Sequence, residues 1–248
     1  MKHLIFTLTF FFGLITVNAQ VIQSRVLEVE QANMKSFMAA VAKKTKMYNS
    51  KKDQARFFTF QILTGNNARN FVRMQWAESV EALDNIDTKG NDYWFKTVGP
   101  LHKSVGNRIW SRVKDASYTP ENVERVDHRR IIFYNYKDSN EKDFWRFRER
   151  VKKAMEESNY GQRMSVLYCA SGCNGNWVQV RFHHENFAGE RADYGEPLKK
   201  MIEKYDEMYG EDAYEQDSDK VDASLMPDGR RIRHHKFLPA VSSPRNMN

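Results

Sequence analysis

The chain has 248 residues, and its 39 Lys and Arg against 32 Asp and Glu give a formal net charge of +7 at pH 7. Both signs are mixed along the chain without a concentrated basic run, so the excess favours anionic small molecules or surfaces over nucleic acid. The length suffices for two domains of about 100 residues each, or for one domain of twice that size.

Residues 1–19 have the pattern of an export signal. Lys2 and His3 precede an apolar run from Leu4 to Val17, and Val17-Asn18-Ala19 offers small residues at a cleavage site. The run is shorter than the roughly 20 residues that a membrane-spanning helix needs. We therefore expect cleavage near Ala19, export to the periplasm or the cell exterior, and no membrane span in the mature chain.

Residues 20–116 predict a first α+β unit. A strand at 21–29 precedes a helix whose apolar residues follow the i, i+3, i+4 rule after Asn33. Aromatic-rich strands at 57–63 and 71–76 flank a turn. A helical stretch interrupted at Gly90 and Gly99 leads to a closing strand at 108–114.

Residues 117–128 form a predicted linker, and residues 129–238 predict a second unit with the same order of elements. Its strand at 130–136 is followed by a helix, by a hairpin of 164–170 with 176–183, and by a helix that begins near Pro197. An acidic, solvated insertion at about 210–224 precedes the last strand, 231–238. We expect the tail, 239–248, to be disordered.

The two units read as an internal duplication. Laying 57–65 over 164–172, and 70–76 over 176–182, gives three identities in sixteen pairs: Gly65/Gly172, Asn70/Asn176 and Val72/Val178. The shared order of elements supports the duplication more strongly than these identities do. The alternative is one irregular α+β domain.

A unit with the order βαββαβ predicts a ferredoxin-like fold, in which an antiparallel sheet carries both helices on one face. The bare face must be buried, and two units in one chain can press their bare faces together. In this order of elements the chain resembles the dimeric α+β barrel superfamily in its tandem, single-chain form. The resemblance implies oxygenase, isomerase or haem-dependent activity as options, with haem as an option for an otherwise unknown cofactor.

Strand alternation predicts which side chains line the space between the sheets. We expect Val178, Val180 and Phe182 to meet the helices of the second unit, and Val72, Met74 and Trp76 those of the first. The opposite faces then supply the predicted ligand-binding residues Phe71, Arg73, Gln75, Trp177, Gln179, Arg181 and His183. An aromatic, an Arg and a Gln from each half suit a pocket for an anionic or aromatic ligand. If this face is open to solvent, they are ordinary exposed residues.

Histidines and one asparagine are the other polar candidates. His183-His184 and His234-His235 are adjacent pairs on strands, so each pair points one ring to either face and cannot hold one ion together. We accordingly expect no metal site, although surface or interface roles remain open. Asn135, on a central strand, needs a hydrogen-bond partner if buried, which a ligand or a neighbour could provide.

Cys169 and Cys173 flank a predicted hairpin tip in an oxidising compartment. A disulfide across the turn is geometrically feasible if the Cα atoms approach within about 7 Å. Free thiols and redox or metal chemistry are the alternatives, although the spacing is neither CxxC nor a zinc pattern.

These observations leave three hypotheses for function. The first is an exported protein that binds a small anionic or aromatic ligand between two sheets. The second is a cofactor-free or haem-dependent enzyme of the oxygenase or isomerase type, in which Arg181, Asn135 and a histidine orient and protonate the substrate. The third is an interaction module of the cell envelope, and self-association is compatible with each. No nucleophile elbow, phosphate loop or HExxH motif identifies a reaction or a catalytic residue.

Overall fold

A computed structural model describes residues 20–245, so the predicted export signal and the last three residues lie outside the described part. The strands are β1 (Val21–Glu28), β2 (Arg56–Ile62), β3 (Phe71–Ala77), β4 (Lys103–Arg112), β5 (His128–Tyr136), β6 (Met164–Ser171), β7 (Asn176–His184) and β8 (Leu225–Phe237). The α-helices are α1 (Met34–Tyr48), α2 (Thr88–Tyr93), α3 (Glu141–Glu157), α4 (Phe187–Asp193), α5 (Glu196–Tyr209) and α6 (Ala213–Ser224). Within residues 20–245, no helix combines the length and apolar character needed to cross a membrane.

The eight strands form one closed barrel in the order β1-β3-β2-β8-β5-β7-β6-β4. Each predicted unit contributes four antiparallel strands, which confirms the α+β class and the two ferredoxin-like units. The expected face-to-face sheets are joined at both edges, where Phe60 of β2 lies opposite Phe237 of β8 and Trp110 of β4 opposite Cys169 of β6. Closure leaves neither sheet with an unpaired edge.

The helices cover the outside of the barrel. In the second unit, Val178 and Val180 are buried against Phe144 and Phe147 of α3, as the alternation of β7 predicts. In the first unit, Phe37 of α1 packs in the same way on the outer face. The barrel interior is therefore lined by the opposite set of strand residues.

The predicted orientation of β3 is wrong. Phe71 stacks on Phe37 of α1, and Arg73 and Gln75 share its outward face, whereas Met74 contacts Arg129 inside the barrel. A one-residue shift reverses the face of every side chain in a strand, and the alignment of β3 with β7 was out of phase in this way. The outward position suits Arg73 because its guanidinium is buried over aromatic rings and donates to local oxygens.

The acidic segment at 210–224 also differs from the expected solvated insertion. It contains α6, which packs on α3 and α5 and buries Asp217. Asp217 accepts hydrogen bonds from Tyr205 and Arg150, at 2.8 and 2.7 Å, and from Arg146 at 3.1 Å. The segment is therefore a packed helix that buries one acid, Asp217, while its other acids stay exposed.

The described part of the predicted disordered tail is ordered along β2. Ser242 Oγ accepts a hydrogen bond from the Thr59 N–H, and the Ser243 N–H donates to the Phe57 carbonyl at 2.7 Å. Both serines are buried. Backbone pairing to β2 explains why a polar, proline-containing segment is held in place.

Candidate functional site

One end of the barrel opens into two adjoining cavities of about 400 and 340 Å3. They share the lining residues Phe58, Arg125, Arg163 and His183, and we call the pair the mouth pocket. The connection between β4 and β5 crosses this end, since Thr119 lines the larger cavity and residues 123–127 line the smaller one. The predicted linker is therefore part of the wall of the pocket.

The larger cavity is strongly basic. Its charged lining residues are Arg56, Arg112, Arg125, Arg163 and Arg181. Among residues 20–245, no Asp or Glu lines this cavity, whereas Glu124, Asp127 and Glu185 line the smaller one. Five arginines around one open cavity create a positive potential that favours an anion.

Several of these arginines retain hydrogen-bonding capacity. The Nε groups of Arg56, Arg112, Arg129 and Arg163 are buried and have no partner among the described residues. Buried donors are normally hydrogen-bonded. These four groups can therefore donate to acceptors that come from solvent or from a ligand.

Arg129 lines the smaller cavity and, like Arg181, is almost fully buried. Its guanidinium lies over the Phe60 ring, with 3.4 Å from Cζ to the ring centroid, and Nη2 donates to Nδ1 of His235 at 3.0 Å. Because that nitrogen accepts, the His235 proton lies on Nε2, which is buried and has no partner within residues 20–245. Burial, and then the neighbouring Arg181, lowers the pKa of Arg129, with no carboxylate opposing this shift.

Arg181 is held by a neighbour on its own strand. Its Nε and Nη2 groups both donate to Oε1 of Gln179, at 2.8 and 2.6 Å. Burial lowers the pKa of Arg181, although a guanidinium keeps its charge at neutral pH. Gln179 thus fixes the direction of a cation that no acid neutralises.

His183 presents a neutral imidazole to both cavities. Burial lowers its pKa well below the usual range, and the positive charges of Arg129, Arg163 and Arg181 lower it further. An anion bound beside the ring would oppose these charges and raise the pKa. An anion bound in the site would therefore increase the basicity of His183.

Aromatic side chains form most of the apolar part of the pocket walls. Phe58 and Trp76 face the larger cavity, and Phe58, Phe60 and Phe237 face the smaller one. The Arg56 guanidinium lies over both Phe58 and Trp76, at 5.3 and 5.4 Å from the ring centroids. Apolar walls with a few fixed polar groups are typical of small-molecule sites.

The predicted site residues are divided among three places. Arg181 and His183 line the mouth pocket, and Gln179 supports Arg181. Asn135 and Trp177 pair with each other at the opposite end of the barrel. There the Asn135 Oδ1 atom is buried and has no partner in the described part of the chain, and the Trp177 indole donates to the Asn174 carbonyl.

Phe71, Arg73 and Gln75 lie outside the barrel. Arg73 donates to Thr59 Oγ1 and to the Val241 carbonyl, at 2.7 and 3.0 Å, and lies over the rings of Phe57 and Trp94. These contacts give it a role in the outer core of the first unit. The three residues do not join Arg181 in one site.

Sequence reasoning missed Arg129 and the mouth arginines other than Arg181, which are Arg56, Arg112, Arg125 and Arg163. One usable signal was in β8, where Arg231, Arg233 and His235 alternate with residues of the other face. The same alternation places Arg129 with Ile131 and Phe133 on β5. This alternation would have placed Arg129 and His235 together inside the barrel.

Cys169 and Cys173 form a disulfide, with their Cα atoms 6.3 Å apart. The bond closes the turn that follows β6, away from the residues that line the mouth pocket. It therefore belongs to the hairpin and contributes nothing to the site.

A larger cleft of about 1,100 Å3 lies outside the barrel, beside the ends of β2 and β3. Its lining mixes Lys52 and Arg56 with Asp53, Asp84 and Asp87. Mixed charge on an external surface gives no comparable preference for a ligand.

No protein-family model and no curated protein sequence matches the chain. Among solved structures, a protein of Lactobacillus acidophilus NCFM assigned provisionally as a monooxygenase is 12% identical, with a TM-score of 0.59, over 92% of this chain and 97% of that one. An anthrone oxidase-like protein is 10% identical, with a TM-score of 0.56, over 89% and 92% of the two chains. Chlorite dismutase from Candidatus Nitrospira defluvii is 7% identical, with a TM-score of 0.54 and the same coverage.

Identities this low establish a likeness of fold alone. The barrel of eight strands and the two βαββαβ units account for that likeness over nearly the full length of each partner. The chain therefore has the fold of the dimeric α+β barrel superfamily, with both ferredoxin-like units in one polypeptide.

Proposed function

We propose that the mouth pocket binds a small molecule that carries anionic groups on an apolar or aromatic body, and that the protein is an enzyme acting on it. The observation that carries this proposal is the set of five arginines around one cavity of about 400 Å3 without a lining carboxylate. The aromatic walls supply the complementary surface for the rest of the molecule. Export from the cell, which residues 1–19 predict, is part of the proposal.

The chemistry that the pocket supports best is proton abstraction followed by oxidation or isomerisation. Binding of the anion raises the basicity of His183, which then takes a proton from a C–H or O–H group of the substrate. The electron pair stays on the substrate as an enolate or phenolate, and Arg181 and Arg129 stabilise that charge. For an oxygenation, O2 would then accept the electrons. The likeness to a provisionally assigned monooxygenase and an anthrone oxidase-like protein supports this class.

Haem is the cofactor that the resemblance implies as an alternative. The residues present fit this group, because neutral His183 could serve as an iron ligand and the arginines could pair with its two propionates. When bound, haem would supply redox chemistry at its iron. A visible absorbance band that appears on haem titration of wild type, and is lost in His183→Gln, would identify this form.

Binding is tested by calorimetry with aromatic dicarboxylates and their neutral diamides. We expect dicarboxylates to bind, diamides to bind much more weakly, and Arg181→Gln to weaken dicarboxylate binding at least tenfold. Arg69→Gln, at an exposed position, is the matched control and should bind like wild type. Equal affinity in Arg181→Gln and wild type would remove the pocket from consideration.

Catalysis is tested separately, by O2 consumption and product analysis with hydroxylated aromatic acids that bind. His183→Gln should retain binding and lose turnover, because the amide cannot take up the proton. Turnover that is unchanged in His183→Gln would exclude this mechanism while leaving the binding site intact.

A further inference from the structure

Three metal-ligating side chains meet on the outer face of the barrel. His128 of β5, His234 of β8 and Glu190 of α4 each offer one atom, and these atoms lie within 4.8 Å of one another. The Nε2 atom of His128 is 3.3 Å from Glu190 Oε2, and the Nε2 atom of His234 is 3.2 Å from the same carboxylate. Three elements that are distant in sequence thus direct two imidazoles at one acid.

The cluster is shielded from water. The exposed fractions of the side chains are 5% for His128, 14% for Glu190 and 15% for His234. The Phe187 ring covers both imidazoles, with centroid distances of 4.5 and 5.0 Å. Exposed acidic groups often gather without a ligand, whereas here His128 is buried and Glu190 and His234 are only partly exposed.

A neighbouring hydroxyl orients one of the ligands. Thr64 Oγ1 lies 2.9 Å from Nδ1 of His234 and also accepts the backbone N–H of that residue at 3.0 Å. A hydroxyl oxygen has two lone pairs and can accept both hydrogens, which leaves the lone pair of Nε2 facing Glu190. Such outer hydrogen bonds fix the tautomer and ring direction of metal-bound histidines.

A further histidine lies next to the cluster. His184 Nδ1 is 2.6 Å from Asp193 Oδ2 on α4, and its ring centroid is 6.4 Å from that of His128. Its Nε2 atom is buried and has no partner among the described residues. Since Nδ1 donates to the acid, Nε2 can accept a hydrogen bond from a water molecule held in the cluster.

One cation competes for the carboxylate. Arg130 Nε lies 3.6 Å from Glu190 Oε1, and its guanidinium also donates to the Tyr194 hydroxyl. The contact uses Oε1, whereas His128 faces Oε2. Glu190 can therefore keep its ion pair and still offer an oxygen to a metal.

We propose that His128, Glu190 and His234 form a binding site for a divalent first-row transition-metal ion. Two imidazoles and one carboxylate suit Zn2+ and Fe2+, and three protein ligands leave positions for water or a substrate. Bonds of about 2.0–2.2 Å require ligand atoms about 3.3 Å apart, which both His–Glu distances already approach. The two imidazole nitrogens must move closer, and the rings already lie nearly parallel with centroids 5.5 Å apart.

The site is independent of the proposed function, because it lies on the outer face of the barrel wall. His128 and His234 are the sequence neighbours of Arg129 and His235, whose side chains point inward. Loss of metal binding and loss of anion binding can therefore be produced by different variants. Metal titrations of the untagged mature protein test the proposal without any substrate.

The experiment is calorimetry with Zn2+ and visible absorption with Co2+, after removal of metal with a chelator. We expect one equivalent to bind at micromolar concentrations, with Co2+ bands that indicate nitrogen and oxygen ligands. Glu190→Gln should weaken binding at least 100-fold, and Thr64→Val about tenfold through the orientation of His234. The controls are Glu196→Gln, at an exposed position, and His102→Gln, in the first unit, and both should match wild type.

Folding of each variant is checked without metal by circular dichroism and thermal melting. Metal should raise the Tm of wild type and of the two controls but not that of Glu190→Gln. If Glu190→Gln does not fold, His234→Gln and the Co2+ spectrum of wild type decide the question. Absence of stoichiometric binding to wild type, or equal binding by folded Glu190→Gln, would overturn the proposal.

Discussion

Arg129 donates a hydrogen bond to Nδ1 of His235 inside the barrel, at 3.0 Å. The two residues face each other across the β5–β8 ladder, and the neighbouring pair in that ladder, Arg130 and His234, points outward. One pair of strands thus supports the anion pocket on its inner face and the histidine–carboxylate cluster on its outer face. Because neighbouring residues on a strand point to opposite faces, the barrel wall lies between the two sites.

Replacement of Arg129 should increase the stability of the protein and decrease its affinity for anions. The charge is buried without a carboxylate, so we expect Arg129→Met to raise the free energy of unfolding by about 1–2 kcal/mol, even though His235 loses a partner. Anion affinity should fall in the same variant. Urea denaturation with and without an aromatic dicarboxylate measures both, and a clear loss of stability would show that the guanidinium is neutralised.

The ion pairs of the buried Asp217 with Arg146 and Arg150 should stabilise the protein at neutral pH. Asp217→Asn removes the charge that faces Arg150 and Arg146, and we expect it to cost about 2–4 kcal/mol. Asp219→Asn, at an exposed position on the same helix, is the control and should cost little.

The effect of Asp217→Asn should also depend on pH. Burial opposes ionisation of Asp217, but hydrogen bonds from Tyr205 and Arg150 and the nearby charges lower its pKa overall. A lowered folded-state pKa gives stability that is present above the usual Asp pKa of about 3.9 and is lost as the pH falls through the folded value. The difference from wild type should therefore shrink between pH 4 and pH 2. A constant difference would contradict the ionic origin of the effect.

The buried Lys44 should make the free energy of unfolding rise as the pH increases above 8. Its ammonium is buried, donates to Asn49 Oδ1 and lies 3.9 Å from Asp87. Burial and the charge of Arg73 lower the pKa of Lys44 to about 8. The nearby Asp87 carboxylate raises this pKa, but its effect is the smaller one.

In the unfolded chain Lys44 still binds its proton up to about pH 10.4, so stability rises between pH 8 and pH 10. Relative to Lys44→Met, wild type should gain about 3 kcal/mol across that window. Chemical denaturation of both proteins at pH 7, 9 and 10 measures the gain. A difference that stays constant over this range would show that the ammonium is not desolvated.

Gly172 should not tolerate a side chain. Its φ is +82°, and an added Cβ would lie 2.3 Å from the backbone oxygen of Asn107. We expect Gly172→Ala to cost at least about 2 kcal/mol, because the left-handed conformation and the close approach both oppose it. Gly161→Ala, where the space is open and φ is not positive, should be nearly neutral. Similar melting temperatures for the two variants would contradict this expectation.

The sequence was most informative about the two units, because their turn residues and their order of elements both repeat. Gly65 and Gly172, matched in the alignment of the two halves, both have positive φ after equivalent strands, so their identity reflects the same backbone turn. Element order alone then predicted the two units. Closure into a barrel did not follow from it, because pairing of β2 with β8 and of β4 with β6 depends on contacts between the halves.

The candidate site was predicted in part. On β7, Val178 and Val180 identify the face that packs on the helices. The alternation of side chains therefore correctly predicted that Gln179 and Arg181 point into the barrel. On β3 both faces are buried, so the polar Arg73 gave no sign that it faces the helices. The histidine–carboxylate cluster was missed for a different reason, since Glu190 reaches it from a short helix that the sequence pattern did not reveal.

The direct test of the anion pocket is a crystal soaked in iodide, with the ions located by their anomalous scattering. We predict iodide inside the mouth pocket, within hydrogen-bonding distance of Arg181 and of the free Nε group of Arg129. Iodide found only on the outer surface, with a pocket that stays free of anions at saturating concentration, would contradict the proposed function.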